Sequence, residues 1–232
     1  MRKALMMIAA AALLLPQSLA AQTSGCIADK FGFLCGEGKD ALRVFPDTLS
    51  PSKTYAFAWK SSNGLPIVDQ LPGDVSDDLV RLSDGRILAK LGGQDWATGQ
   101  SRANRYTHVA AWSPDSRAVV EVANSRWDTD AFRYYAIDAD SAMTLDLHAL
   151  AEKAVRAERP APEAESFVFR VREDLPVKLD AKGNLTVTAT LFVPKTETQN
   201  LNYRVQMAIT WRRGEPKARV VSVHWVHVDP RL

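Results

Sequence analysis

The hydrophobic and polar positions of the chain follow the pattern of a protein built from short β-strands. From Thr54 onward, apolar residues alternate with polar ones or occur in short runs, and turn-forming residues separate these runs. Such alternation is typical of strands with one buried face. The pattern predicts ten strands, at 55–59, 78–82, 87–91, 108–112, 118–123, 132–137, 167–171, 185–193, 203–211 and 218–227. Short polar turns between neighbouring runs favour antiparallel pairing, so we expect a mainly β fold.

One segment departs from the strand pattern. Its apolar residues recur at helical spacing, namely Leu147, Leu150, Ala151, Ala154 and Val155. Asp146 is a suitable N-cap, and Pro160 stops the run. The sequence therefore predicts a single amphipathic helix at about 146–158.

A short motif that starts a strand occurs twice. Ser50-Pro51-Ser52-Lys53 leads into one predicted strand, and Ser113-Pro114-Asp115-Ser116 leads into another 63 residues later. Proline presets φ for the second position of a type I turn. Each motif is followed by a second strand, a polar turn and a third apolar segment. The sequence thus predicts two tandem three-stranded units.

The second unit resembles a blade of the TolB-type and peptidase-type β-propellers through Trp112-Ser113-Pro114-Asp115-Ser116-Arg117 and Tyr134-Tyr135-Ala136-Ile137-Asp138. Residues 50–91 are similar to a degraded blade, so the resemblance covers about 90 residues. It implies blade-like sheets that serve as contact surfaces, with no catalytic residue. The spacing of 63 residues exceeds the usual blade period of roughly 40–50. We therefore expect blade-like sheets in an open or sandwich-like arrangement, without a closed ring.

The N-terminus has the layout of a secretory signal peptide. Arg2 and Lys3 precede twelve apolar residues at 4–15, and small residues follow up to Ala20. Twelve helical residues rise about 18 Å, which is too short for a hydrocarbon core of roughly 30 Å. We expect cleavage near Ala20, release into the periplasm or the medium, and no transmembrane segment in the mature chain.

The two cysteines lie just after the predicted cleavage site. An even number of cysteines in an exported chain predicts a disulfide, here between Cys26 and Cys35. Gly25 before Cys26 leaves lipid attachment open, although Thr23 stands where lipoprotein signals have an aliphatic residue. The predicted organisation is a signal peptide at 1–20, a disulfide-bonded segment at 21–49, two β units at 50–145, the helix and a connector at 146–165, and an antiparallel meander at 166–232.

Composition and charge narrow the classes of function. The chain has 232 residues, of which 46% are hydrophobic, so it can bury a sizeable core. Its net charge of +2 is due to Arg2 and Lys3, since the other 27 basic residues balance 27 acidic ones. This neutrality argues against a nucleic-acid binder, and we expect a protein or small-ligand partner in the cell envelope instead.

Loop residues provide the candidate contact surface. The chain contains no Gly-x-Ser-x-Gly, no His-Glu-x-x-His and no phosphate-binding glycine loop. Trp96 and Trp127 fall in polar loops, where tryptophans are frequent interface anchors, and Asp128 and Asp130 follow Trp127. The sequence favours a non-catalytic binding or scaffolding protein that uses these four residues, with no cofactor, metal or catalytic residue assigned.

Two alternatives remain open. An envelope hydrolase would pair Asp128 or Asp130 with His108, and it would need a histidine and a carboxylate that converge in one site. A calcium-stabilised structural module would bind the ion through Asn124, Asp128 and Asp130, because calcium takes oxygen ligands from such loops.

Overall fold

The computed structural model describes residues 26–29, 32–61, 75–93, 107–125, 127–158, 167–192 and 200–228. Within these ranges the chain forms fifteen strands and one α-helix, α1 (His148–Ala157). The strands are β1 (Cys26–Asp29), β2 (Gly32–Cys35), β3 (Leu42–Val44), β4 (Tyr55–Ser61), β5 (Val75–Arg81), β6 (Arg86–Lys90), β7 (Thr107–Trp112), β8 (Ala118–Asn124), β9 (Thr129–Asp138), β10 (Ser141–Asp146), β11 (Val168–Val171), β12 (Lys178–Leu179), β13 (Asn184–Phe192), β14 (Leu201–Arg212) and β15 (Glu215–Val226).

The strands form three antiparallel sheets. Sheet A contains β1 to β6 in chain order, sheet B has the order β10-β9-β8-β7, and sheet C has the order β11-β13-β14-β15, with β12 also paired to β13. Every predicted strand is present, and so is the predicted helix, which begins at His148. The N-cap position is Leu147 and not the predicted Asp146, although the Asp146 carboxylate accepts a hydrogen bond of 2.8 Å from the His148 backbone amide. The predicted mainly β, sandwich-like fold is confirmed.

Sheet B lies between sheets A and C, and its inner strand β8 is buried on both faces. One face packs against sheet A, where Val119 contacts the cluster around Phe57. The other face packs against sheet C and α1, and this core includes Val120 and Val187. All seven residues of β8 are buried. A strand covered on both faces loses the apolar and polar alternation, which explains its nearly continuous apolar sequence.

The resemblance to β-propeller blades predicted propeller-like sheets, and this prediction is wrong. The sheets stack as layers, and none of the three is closed or propeller-like. The first unit also belongs to a six-stranded sheet, because β1, β2 and β3 extend it. A turn motif fixes the path of the chain over a few residues, but it does not determine how many sheets follow or how they pack.

Both predicted Ser-Pro turns are present in the structure. The Lys53 amide donates to the Ser50 carbonyl at 2.8 Å, and the Ser116 amide donates to the Ser113 carbonyl at 2.9 Å. Lys53 and Ser116, the fourth residues of the two turns, have φ of 56° and 61°. The Ser52 amide also donates to the Ser116 hydroxyl at 3.0 Å, so the two turns contact each other where sheets A and B meet.

The N-terminal hairpin carries the predicted disulfide. Cys26 and Cys35 are paired residues of β1 and β2, and their sulfur atoms are bonded, which confirms the prediction. The predicted signal peptide at 1–20 and its cleavage site lie outside the described residues. In the part of the chain that the structure covers, no helix is long and apolar enough to cross a membrane.

Candidate functional site

A groove of about 620 Å³ lies where the loop between β8 and β9 meets sheet C. We call it the Trp127 groove. It is lined by Trp127, Arg170, Arg172, Glu173, Asp174, Thr190, Phe192, Asn200, Asn202, Trp225, Val226, His227 and Val228. The residues come from a loop of sheet B and from four strands and connections of sheet C, so only the folded chain brings them together.

Strand register places the floor of the groove on the outer face of sheet C. Arg170 pairs with Thr190, Thr190 with Asn202, and Asn202 with Val226. Directly paired residues of antiparallel strands project from the same face, so these four form one row across the sheet. Neighbouring Leu191 projects from the opposite face into the core.

Thr190 and Asn202 form a buried polar floor. Their exposed fractions are 4% and 7%. The Asn202 side-chain oxygen accepts a hydrogen bond of 3.2 Å from Arg172. The Thr190 hydroxyl makes no hydrogen bond in the structure. A buried hydroxyl without a partner is costly, so a ligand atom that reaches Thr190 gains a hydrogen bond that the protein alone does not make.

Two arginine–carboxylate pairs line the groove beside this floor. Arg170 is paired with Glu173, and Arg172 donates from Nε to Asp174 at 2.6 Å and contacts it again through a second nitrogen. The hydrogen bond to Arg172 lowers the pKa of the Asp174 carboxyl, although partial burial acts in the opposite direction. The groove therefore presents planar donors and acceptors whose charges balance.

The loop that carries Trp127 is tied to sheet C. Arg170 donates to the Ser125 carbonyl at 2.8 Å. The side-chain amide of Asn124 donates to the Val171 carbonyl at 2.9 Å and to the Glu173 carboxylate at 2.7 Å. These bonds fix the base of the loop and hold Trp127 at the edge of the groove. Trp127 and Trp225 remain 37% and 63% exposed, respectively.

The four predicted contact residues have different positions. Trp127 lines the groove, whereas Trp96 lies outside the described residues. Asp128 and Asp130 are exposed residues of the same segment but are not among those lining the groove. Desolvation raises the pKa of the Asp130 carboxyl, and the charge of Asp128 acts in the same direction.

Asn124 does not face solvent with Asp128 and Asp130. It is fully buried, accepts a hydrogen bond of 2.6 Å from Thr129, and uses its amide for the bonds to β11 and Glu173. Over the described ranges, no group of three or more histidine, cysteine, aspartate or glutamate side chains is placed to hold a metal ion.

His108 lies between sheets A and B, next to carboxylates other than the predicted ones. Its Nδ1 is 3.6 Å from Asp77, and its Nε2 is 3.4 Å from Glu121. His108 pairs with Ala123 in the register of β7 and β8, and Glu121 is two residues from Ala123 on the same face. Register thus brings His108 to Glu121, whereas Asp130 is an exposed residue of β9 between two buried ones.

Glu121 is the centre of this buried cluster. It accepts hydrogen bonds from the Gly92 amide at 3.0 Å, the Gly93 amide at 2.9 Å and the Tyr135 hydroxyl at 2.6 Å. Burial raises the pKa of Glu121, but the hydrogen bonds from His108, Tyr135 and the two amides outweigh burial and lower it. Burial and the nearby Glu121 charge raise the pKa of Tyr135. The cluster therefore holds an ionised carboxylate that joins the end of β6 to sheet B.

The buried cluster is better suited to stability than to catalysis. The side chains of His108 and Glu121 are 3% and 0% exposed. A catalytic pair must lie within hydrogen-bond reach of a substrate. These two side chains are packed between two sheets, and their polar atoms face protein groups. The Trp127 groove, which is open to solvent, is the better candidate for a functional site.

Sequence reasoning missed most residues of the groove. Thr186, Thr188 and Thr190 alternate with apolar residues along β13, as Asn202, Arg204 and Gln206 do along β14. Two adjacent strands with this polar alternation indicate a shared polar face, and this signal is visible in the sequence. Trp225 lies in a strand-like run, where tryptophans are commonly buried, but it is exposed near the end of β15.

The fold and the groove together define a three-layer antiparallel β-protein with an open, polar and partly aromatic cleft on its outer sheet. No family model, no curated protein and no solved structure matches the chain. Function is therefore inferred from the groove and its chemistry.

Proposed function

We propose that this chain is an exported, non-catalytic binding protein of the cell envelope and that the Trp127 groove is its ligand site. One observation carries the proposal: two exposed tryptophans border a cleft whose floor contains the buried, unbonded Thr190 hydroxyl. Ligand sites characteristically combine apolar or aromatic walls with a few fixed polar groups. The N-terminal signal layout and the disulfide support export.

The chemistry of the groove favours binding over catalysis. Its two carboxylates, Glu173 and Asp174, are held in ion pairs with Arg170 and Arg172. A general acid needs a pKa near the working pH, but the pKa of Asp174 is lowered. Paired charges of this kind orient donors and acceptors for recognition.

Replacing both groove tryptophans by alanine is expected to abolish retention of ligand. Because Trp127 and Trp225 are exposed, the double variant should keep its free energy of unfolding within about 1 kcal/mol of wild type. Immobilised wild-type protein would be incubated with an envelope extract of the source cells, and the retained material would be analysed by mass spectrometry. The double variant should retain less than about one tenth of that material, which corresponds to about 1.4 kcal/mol of binding free energy.

Trp211→Ala is the matched control. Trp211 is 53% exposed on β14, and it lies eight residues from Tyr203, the partner of Trp225, which is about 27 Å along the strand. This control should retain ligand as wild type does. Equal retention by all three proteins would contradict the proposal. A large loss of stability in the double variant would show that the two tryptophans belong to the core.

A further inference from the structure

We propose that a cationic cleft continues the Trp127 groove along sheet C and that the two together bind an acidic oligosaccharide. This inference rests on the proposed function and specifies the ligand. The second cleft, called here the Lys178 cleft, has a volume of about 570 Å³. It is lined by Leu175, Pro176, Lys178, Thr186, Thr188, Arg204, Gln206, Val226, His227 and Val228.

The two clefts adjoin on one face of the sheet. Thr188 pairs with Arg204 and Thr186 pairs with Gln206, so these pairs form two further rows beside the row that contains Thr190. Rows on the same face are two residues apart, which is about 7 Å, and the three rows span about 14 Å. Val226, His227 and Val228 line both clefts. A ligand that follows the strands would contact both clefts.

The Lys178 cleft is positively charged, whereas the Trp127 groove is balanced. Lys178 and Arg204 line it, and none of the described residues that line it is a carboxylate. Both side chains belong to exposed residues, and neither forms an ion pair with a residue that the structure describes. Two cations that line one cleft and form no ion pair within the described ranges favour an anionic group, and the hydroxyls of Thr186 and Thr188 add hydrogen-bond donors.

The groove favours a saccharide over a peptide. Peptides commonly bind sheets by adding a strand at an edge, where backbone groups are free. The clefts lie on the face of sheet C, where the backbone groups of β13 and β14 are paired within the sheet. Recognition there depends on side chains. The exposed indole of Trp127 can cover the apolar face of a sugar ring, while fixed amide, hydroxyl and guanidinium groups bind its hydroxyls.

The ligand class can be tested by titration calorimetry with three probes. The first is a tetrasaccharide of galacturonic acid, the second is its methyl ester, which has the same rings without the charge, and the third is a tetraglutamate peptide. We expect the acid to bind at least about tenfold more tightly than the ester at low salt, and we expect this advantage to shrink at high salt. The peptide should bind more weakly than the acidic sugar.

Lys178→Ala/Arg204→Ala should remove the preference for the acid over the ester, because the affinity for the acid should fall about tenfold more than the affinity for the ester. Arg212→Ala/Lys217→Ala is the matched control, because it also replaces one arginine and one lysine, both are exposed near the turn between β14 and β15, and the net charge changes equally. The control should keep the preference.

Three results would overturn the inference: equal affinity for acid and ester, no binding of the acid at millimolar concentration, or an equal effect of the control pair. Tighter binding of tetraglutamate than of the acid would instead indicate an acidic peptide ligand. The retention experiment with the tryptophan variant tests the proposed function separately. A protein that retains envelope material through Trp127 and Trp225 but ignores the acidic sugar would keep the proposed function and lose this inference.

Discussion

Replacing Glu121 by alanine is expected to lower the free energy of unfolding by about 3–5 kcal/mol. The substitution removes a fully buried carboxylate and leaves the Gly92 and Gly93 amides and the Tyr135 hydroxyl without their acceptor. It also leaves a cavity between sheets A and B. Urea denaturation followed by tryptophan fluorescence would measure the loss. Glu215→Ala is the control, because this carboxylate is exposed and should change stability little.

Glu121 should also make the free energy of unfolding depend on pH. This dependence can be measured even if the Glu121→Ala variant does not fold. The pKa of Glu121 lies below its ordinary value of 4.5 in the folded protein. Below pH 4.5 the unfolded chain therefore binds more protons at Glu121 than the folded protein does. The stabilisation of the fold by Glu121 is complete above pH 4.5 and is lost as the pH falls through the pKa of Glu121 in the folded protein. Glu121→Gln cannot titrate, so its deficit relative to wild type should be constant above pH 4.5 and should narrow below it. A deficit that does not change with pH would contradict an ionised Glu121.

Gly93→Ala is expected to be nearly as damaging, with a loss of about 3 kcal/mol. A Cβ atom at position 93 would overlap the Cβ atom of Ala123 and lie 2.6 Å from Nε2 of His108. Relief of this overlap requires the backbone to move, which would weaken the hydrogen bond from the Gly93 amide to Glu121. The loss would be measured by urea denaturation at neutral pH.

A double-mutant cycle checks the cause of that loss. Ala123→Gly removes the methyl group that a side chain at position 93 would overlap. Because each substitution changes the same contact, the double variant should be at least about 1 kcal/mol more stable than the sum of the two single losses implies. Additive losses would show that sheets A and B do not approach each other closely at Gly93.

Local structure could be predicted from the sequence where the chain carries a strong pattern. The runs that became β4, β8 and β14 are apolar or alternating, and each is bounded by turn residues. The strands β1, β2 and β3 were missed, because each has only three or four residues. β10 was predicted only as the third apolar segment of the second unit, without bounds, because all of its residues are exposed or half-buried and show little apolar alternation.

The layering of the sheets and the partners in each site could not be predicted in the same way. The Ser-Pro motif predicted both turns correctly, but a blade-like sequence does not specify whether sheets close into a ring or stack. Trp127 was found because it stands in a polar loop. Thr190 and Asn202 reach it only through the register of β13 and β14, and His108 reaches Glu121 only through the register of β7 and β8.

Binding on the outer face of sheet C, away from the buried histidine, can be tested by NMR. Amide chemical shifts would be measured with and without the material that wild-type protein retains from the envelope extract. We expect the shift changes to concentrate at Ser125, Arg170, Thr188, Thr190 and Asn202. Changes centred on Asp77, His108 and Glu121 would contradict this expectation and would favour a site between sheets A and B.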